Sequence, residues 1–177
     1  MGAGKTTIGR RLARRLAMPF VDADDEIEVA AGCSIDEIFE IHGEAAFRDG
    51  ERRVIARLLK QPAIVLATGG GAFLDPETRL RIRQTAVSIW LRSDIATLVR
   101  RIKRRRNRPL LKSADPEAVV KRLVAERYPV YAQADIVVDS TDGPHGFVVE
   151  TVIKKLNVYW AELTDPAHPK PTSQAEP

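Results

Sequence analysis

Met1-Gly2-Ala3-Gly4-Lys5-Thr6-Thr7 opens the chain, and its reading decides what the remaining residues can build. Gly2 and Gly4 can take backbone angles closed to other residues, so consecutive amides can turn inward toward a polyphosphate. Lys5 stands where an ammonium would reach the β- and γ-phosphates, and Thr6 where a hydroxyl would meet Mg²⁺. The next segment, Ile8 to Met18, has the composition of a helix whose positive N-terminal end faces the anion. The full pattern carries another glycine four residues before Gly4-Lys5-Thr6 and a buried strand ahead of it, and this chain starts inside the pattern. A flexible glycine-rich start on an ordinary basic helix would look the same, so the choice depends on the residues beyond Met18.

Composition narrows the classes. With 177 residues and 44% hydrophobic content, the chain suits one globular domain with a substantial core. The longest apolar run, Ala63 to Ala67, is far too short to cross a bilayer, and no secretory signal precedes the loop, so a cytoplasmic protein is expected. Cys33 is the only cysteine, which excludes an internal disulfide and a multi-cysteine metal site and suits a small buried or half-buried side chain. Lys plus Arg number 28 against 24 Asp plus Glu, a formal charge of +4 that is unevenly placed. Arg10, Arg11, Arg14 and Arg15 share one side of a helix and read as a solvated face. Arg100, Arg101, Lys103, Arg104, Arg105, Arg106 and Arg108 are broken by Asn107, Pro109 and a turn-like Lys-Ser-Ala-Asp-Pro, which reads as a mobile loop.

After the first helix, Pro19 to Asp25 reads as a short apolar strand ending in carboxylates. Ligands of open parallel sheets bind beyond the carboxyl ends of the strands, so Asp22 and Asp24 are expected at the mouth of the site, on the side Asp25 does not share. Asp24, Asp25 and Glu26 could equally be the acidic first turn of a helix. Helices are expected over residues 26–31 and 34–42, the second opened by a Ser34 and Glu37 capping box and ended by Gly43. A third, from Glu44 to about Leu59, should bury Ala46, Phe47, Val54, Ile55 and Leu58, with Arg48 and Glu51 paired at i, i+3 on a neighbouring face.

Residues 63–68 read as a strand buried on both faces, running straight into Gly69-Gly70-Gly71. A tight connection needs one glycine; three let another group approach the backbone and offer it bare amides. A strand over 87–91, a helix from Ser93 to about Arg105 capped by Ser93 or Asp94, and a helix from Pro116 should come next. That last helix should end at Arg127-Tyr128-Pro129, because proline disfavours helical geometry in the residue before it. A strand over 134–139 and a closing helix over 147–163 complete the fold, before a proline-rich tail without the apolar content to pack.

A phosphate loop, two strand-end carboxylates, a glycine-rich strand end and a basic loop are the parts of a small-molecule kinase. In that scheme Asp22 holds the Mg²⁺ shell together with Thr6, Asp24 orients or deprotonates the acceptor hydroxyl, and Arg108 closes over the phosphates. Arg48 becomes a candidate anion ligand.

Six blocks then carry a resemblance: Gly2-Ala3-Gly4-Lys5-Thr6-Thr7-Ile8-Gly9, Phe20-Val21-Asp22-Ala23-Asp24, Phe47-Arg48-Asp49-Gly50-Glu51, Ala67-Thr68-Gly69-Gly70-Gly71, Arg108-Pro109-Leu110-Leu111 and Arg127-Tyr128-Pro129-Val130-Tyr131. In this order and spacing the chain resembles the shikimate kinases. The resemblance implies an α/β fold, a three-layer α/β/α P-loop kinase with a parallel sheet of order 2-3-1-4-5, and one domain over 1–163 followed by an unstructured tail over 164–177. Residues 26–60 would be the substrate-binding insertion and 103–115 the lid. It implies phosphorylation of the 3-hydroxyl of shikimate by ATP with Mg²⁺, toward chorismate and the aromatic amino acids.

Residue by residue, the resemblance makes Lys5, Asp24 and Arg108 catalytic and puts ATP on Gly2, Ala3, Gly4, Lys5, Thr6, Thr7 and Arg108. Shikimate falls to Asp24, Arg48, Gly69, Gly70, Gly71 and Arg127, and the metal to Thr6 and Asp22. Two arginines suit a carboxylate because each guanidinium donates paired hydrogen bonds. The expected partner is a small molecule, with no nucleic acid and no membrane, bound by a monomer. Where family members often place an arginine near the adenine, this chain reads Thr141-Asp142-Gly143-Pro144-His145, which leaves the adenine contacts open.

The family's central first strand is absent from the chain. Losing about five buried residues forfeits roughly 1.5 to 3 kcal/mol per large side chain, on the scale of the roughly 5 to 15 kcal/mol that stabilises a domain. The expectation is therefore that Met1 is an internal methionine and that the natural product begins upstream. Two alternatives stay open at this point: another small-molecule kinase such as a gluconate kinase, and a non-catalytic nucleotide- or RNA-binding protein.

Overall fold

The computed structural model describes residues 2–103, 115–140 and 143–165. Helix α1, Lys5–Leu16, starts directly at the end of the glycine loop and turns Ile8, Gly9, Leu12 and Ala13 inward. Its four arginines are exposed, as their spacing predicts. The chain then descends through β1, Phe20–Asp22, and α2, Ala23–Ala31. Helix α3, Ile35–Leu58, opens on the expected Ser34 and Glu37 capping box and bends at Gly43, whose φ of 78° is open to glycine.

Strand β2, Val65–Ala67, pairs in parallel with β1, so that Asp22 lies opposite Ala67 and both strands end on the same rim. A 3₁₀ turn, Ala72–Leu74, and α4, Pro76–Thr85, come after it. Strand β3, Ile89–Arg92, pairs in parallel with β4, Ile136–Asp139. Between them run α5, Ile95–Lys103, and α6, Pro116–Tyr131; α7, His145–Thr164, closes the described fold. Parallel pairs need helical crossovers, and every connection between paired strands contains one. Among the described residues the two pairs are separate two-stranded sheets. They correspond to the outer pairs, 2-3 and 4-5, of the order implied by the resemblance.

Three apolar clusters hold this frame. Ile27, Phe47, Ile55 and Leu58 pack α2 against α3 beneath β1 and β2. Ile8, Leu12, Val138 and Val152 join α1, β4 and α7. Leu98, Ile102 and Val120 join α5 to α6. Cys33 is half-buried against the first cluster, as expected. None of the described helices is long and apolar enough to cross a membrane.

Four local expectations are corrected. Ala46 is exposed, because the helix after Gly43 turns Phe47, Glu51, Val54, Ile55 and Leu58 inward and Ala46 sits about 100° around from Phe47. Strand β2 is only partly covered: Val65 and Leu66 pack on opposite clusters and stay half-exposed. Asp24 and Asp25 belong to the first turn of α2 and not to the strand, since Asp22 caps that helix by accepting from the Asp24 N–H at 3.2 Å. Helix α6 runs through Pro129 to Tyr131, so the proline does not end it. Tertiary anchoring of Tyr128 and Tyr131 offsets the local penalty.

Candidate active site

A cleft of about 310 Å³ opens at the rim where β1 and β2 end. Gly2, Gly4, Lys5, Thr6, Thr7, Asp22, Asp24, Arg48, Gly69, Gly70, Gly71 and Arg127 all line it. Ala3 is buried behind the loop. Arg108, most of the expected lid over 103–115, Thr141, Asp142 and the tail beyond Asp165 lie outside the described residues. A more open groove behind α1, between Arg14, Phe20 and Glu26, shares only Asp22 with this set.

The phosphate loop is shaped from behind. Gly2 and Gly4 take left-handed φ angles of 73° and 85°. The Ser140 hydroxyl at the end of β4 donates to the Ala3 carbonyl at 2.9 Å, and Arg101 from α5 donates to the Gly2 carbonyl at 3.3 Å and to Ser140 Oγ at 3.2 Å. Ser93 Oγ in turn donates to the Ser140 carbonyl at 2.9 Å. A planar trans peptide points its N–H opposite its carbonyl, so drawing these two carbonyls outward turns the Ala3 and Gly4 amides the other way. Arg101 therefore belongs to the body of the fold, which corrects the reading of the whole second basic cluster as loop.

Along the floor the acids form a file. Thr6 Oγ1 donates to Asp22 Oδ2 at 2.9 Å. Asp24 is next, its carboxyl held above the usual range by burial and by the neighbouring Asp22, against the pull of Lys5. Glu51, 3% exposed, lies beyond it; burial raises its carboxyl too, against the opposing pull of Arg48. Arg48 Nη1 donates to Glu51 Oε2 at 2.7 Å and Nη2 to Glu44 Oε1 at 3.1 Å. Burial works against its charge, and these two acids outweigh that and raise its pKa.

Two of the three glycines are explained sterically. A Cβ on Gly69 would lie 2.8 Å from Glu51 Oε1 and 3.1 Å from Asp24 Oδ1, and one on Gly71 would overlap the Arg48 guanidinium. Gly70 accepts a hydrogen bond from the Tyr131 hydroxyl. Arg127 reaches the cleft from α6, and Ile35, Phe39 and Phe47 supply an apolar wall, the two phenylalanine rings 4.6 Å apart.

Chemically, the loop and Lys5 present donors to one anion, and Arg48, Arg127 and the glycine turn present donors to another, with Asp24 between. Thr6 and Asp22 offer adjacent oxygen donors of the kind Mg²⁺ takes. Among the described residues no three His, Cys, Asp or Glu side chains gather as a metal cage.

Sequence reasoning gave no site role to Glu51, Ser140, Arg101 or Tyr131. Glu51 carried a signal, an acid in phase with Phe47, Val54 and Leu58. Ser140 carried none, because its partner lies 137 residues away.

The family described as "SKI: Shikimate kinase" matches residues 1–157. The shikimate kinase of Nitrobacter winogradskyi is 62% identical over 157 residues, 89% of this chain and 73% of that protein. The structure of "Shikimate kinase from Acinetobacter baumannii in complex with shikimate" superposes with a TM-score of 0.84 at 36% identity, covering 89% of each chain. A gluconokinase from Sinorhizobium meliloti 1021 reaches a TM-score of 0.54 at 15% identity, over 91% of this chain and 92% of its own, which shows a shared fold alone. With one family matched from the phosphate loop into α7, and relatives alike in both sequence and structure, the chain belongs to the shikimate kinase family.

Proposed function

We propose that this cleft transfers the γ-phosphoryl group of ATP to the 3-hydroxyl of shikimate, giving shikimate 3-phosphate and ADP. The observation that carries the reading is the position of Asp24, which lines one cleft with Lys5 and Thr6 of the loop and with Arg48, Gly69 and Arg127. An acceptor hydroxyl beside it would face the end of the phosphate loop.

Lys5 and the loop amides hold the triphosphate in line and neutralise it, and the apolar wall excludes competing water. Asp24 accepts the proton of the attacking hydroxyl as the new O–P bond forms and the bond to the ADP oxygen breaks. Its raised pKa makes it a stronger base than an exposed carboxylate. Arg48 and Arg127 grip the acceptor's carboxylate, and Glu51 keeps the Arg48 fork oriented. Thr6 and Asp22 would hold Mg²⁺, which when bound spreads the developing phosphoryl charge. Residues 26–60 serve as the acceptor-binding insertion of a single kinase domain, acting as a cytoplasmic monomer with no nucleic-acid or membrane partner.

A coupled assay of ADP release tests this. Release should require shikimate and Mg²⁺ and should not occur with gluconate. Equal rates with gluconate, or salt-sensitive RNA binding without acceptor-dependent ADP release, would overturn it.

A further inference from the structure

We propose that Tyr131 is a positioning residue for the acceptor's carboxylate, its phenolic hydroxyl fixing the Gly70 peptide of the glycine turn beside Arg127. The inference rests on the proposed acceptor and concerns a residue that touches neither substrate directly.

The starting point is Pro129. A proline inside a helix removes the hydrogen bond to the carbonyl four residues back, here Ala125, and its ring crowds that carbonyl, at a cost of about 3 kcal/mol. Yet α6 continues to Tyr131, and the Ala132 N–H closes the last turn on the Tyr128 carbonyl at 2.9 Å. Both tyrosines in that turn are tied to other elements: the Tyr128 hydroxyl donates to the Ser93 carbonyl and the Tyr131 hydroxyl to the Gly70 carbonyl. Their rings pack with Trp90, whose centroid lies 4.8 Å from Tyr128 and 5.9 Å from Tyr131, and Phe73 adds a contact to Tyr131 at 6.5 Å.

Stacking alone would place the Tyr131 ring, so its hydroxyl is available for a more specific task. Burial raises its pKa, which keeps the phenol protonated and donating, and Arg127 precedes it by about one turn on α6 and lines the cleft. The hydroxyl donates to Gly70, and both Gly70 and Arg127, the latter carried by the same helix as Tyr131, line the cleft. Because the Gly70 carbonyl and the Gly71 N–H share one planar peptide, fixing the first sets the direction of the second. Three consecutive glycines otherwise leave that turn free to rotate.

The test is Tyr131→Phe, which keeps the ring, compared with Tyr128→Phe, which loses a similar hydrogen bond away from the cleft. In Tyr131→Phe the KM for shikimate should rise about fivefold, the worth of one neutral hydrogen bond, with KM for ATP and kcat within about twofold. Tyr128→Phe should leave the KM for shikimate unchanged. In the acceptor-free protein, amide hydrogen exchange over residues 70–72 should quicken in Tyr131→Phe alone. Unchanged KM with unchanged exchange, or equal effects of the two substitutions, would overturn the proposal. Absence of shikimate turnover in the unsubstituted chain would instead refute the proposed acceptor, and the exchange measurement would still decide whether Tyr131 holds the turn.

Discussion

Arg48 and Glu51, one turn apart on α3, are joined by a 2.7 Å hydrogen bond in which the acid is the buried partner, its side chain 4% exposed against 32% for the arginine. Helix phase explains the asymmetry. Glu51 falls on the stripe of Phe47, Val54 and Leu58, whereas Arg48 lies at the edge of that stripe and opens to the cleft. The guanidinium is thus held from behind, and Arg48 lines the cleft.

Glu51→Ala should lower stability by about 1 to 3 kcal/mol, less than the roughly 3 to 5 kcal/mol of breaking a fully buried pair, because Arg48 is partly solvated and retains Glu44. Thermal unfolding should shift down by about 3 to 8 °C. Glu51→Gln, which preserves an acceptor, should lose less. Equal midpoints for Glu51→Ala and the parent would contradict this account.

Asp24→Asn should abolish acceptor-dependent turnover while ATP still binds. Its effect on stability has a definite sign. The folded-state pKa of Asp24 is raised, so its stabilising contribution is present at low pH and is lost as pH rises through that value. The asparagine chain should therefore unfold at a higher temperature than the parent at pH 8, with the gap closing toward pH 4. A lower midpoint at pH 8 would refute the burial argument, and near-normal turnover would remove Asp24 from the mechanism.

Ser140→Ala should act on the nucleotide side only. It strips the Ala3 carbonyl of its donor, at about 1 to 3 kcal/mol for a buried polar group left unpaired. A several-fold rise in KM for ATP with an unchanged KM for shikimate is expected; the opposite pattern would show that the serine does not shape the loop.

Gly71→Ala should keep the fold, since Gly71 has an ordinary φ of −84° and the added methyl meets only the end of a flexible side chain. That side chain is Arg48, so the KM for shikimate should rise. An unchanged KM would mean that the position of the guanidinium is unimportant.

Much of this was readable in the chain because the chemistry is local. The glycines before Lys5, the Ser34 and Glu37 box, the break at Gly43 and the carboxylates after Phe20-Val21 act within a few residues of themselves, and all occur where their types require. Two of the errors came where distant contacts outweighed a local rule. Pro129 forbids helix locally, but Tyr128 and Tyr131 are tied to Ser93 and Gly70, the latter 61 residues away. Arg101 read as loop charge until the fold brought Gly2 and Ser140 beside it.

The sequence by itself determined which groups are available: a glycine loop before Lys5, strand-end acids, a glycine run and two arginines whose planar forks suit a carboxylate. Only the tertiary structure decided how they are held. Burial sets which acid is charged reluctantly, Ser140 and Arg101 set which way the loop carbonyls face, and Tyr131, on the helix that carries Arg127, anchors the glycine turn. Backbone angles and caps depend on neighbours in the chain, whereas desolvation and long-range hydrogen bonds depend on neighbours in space.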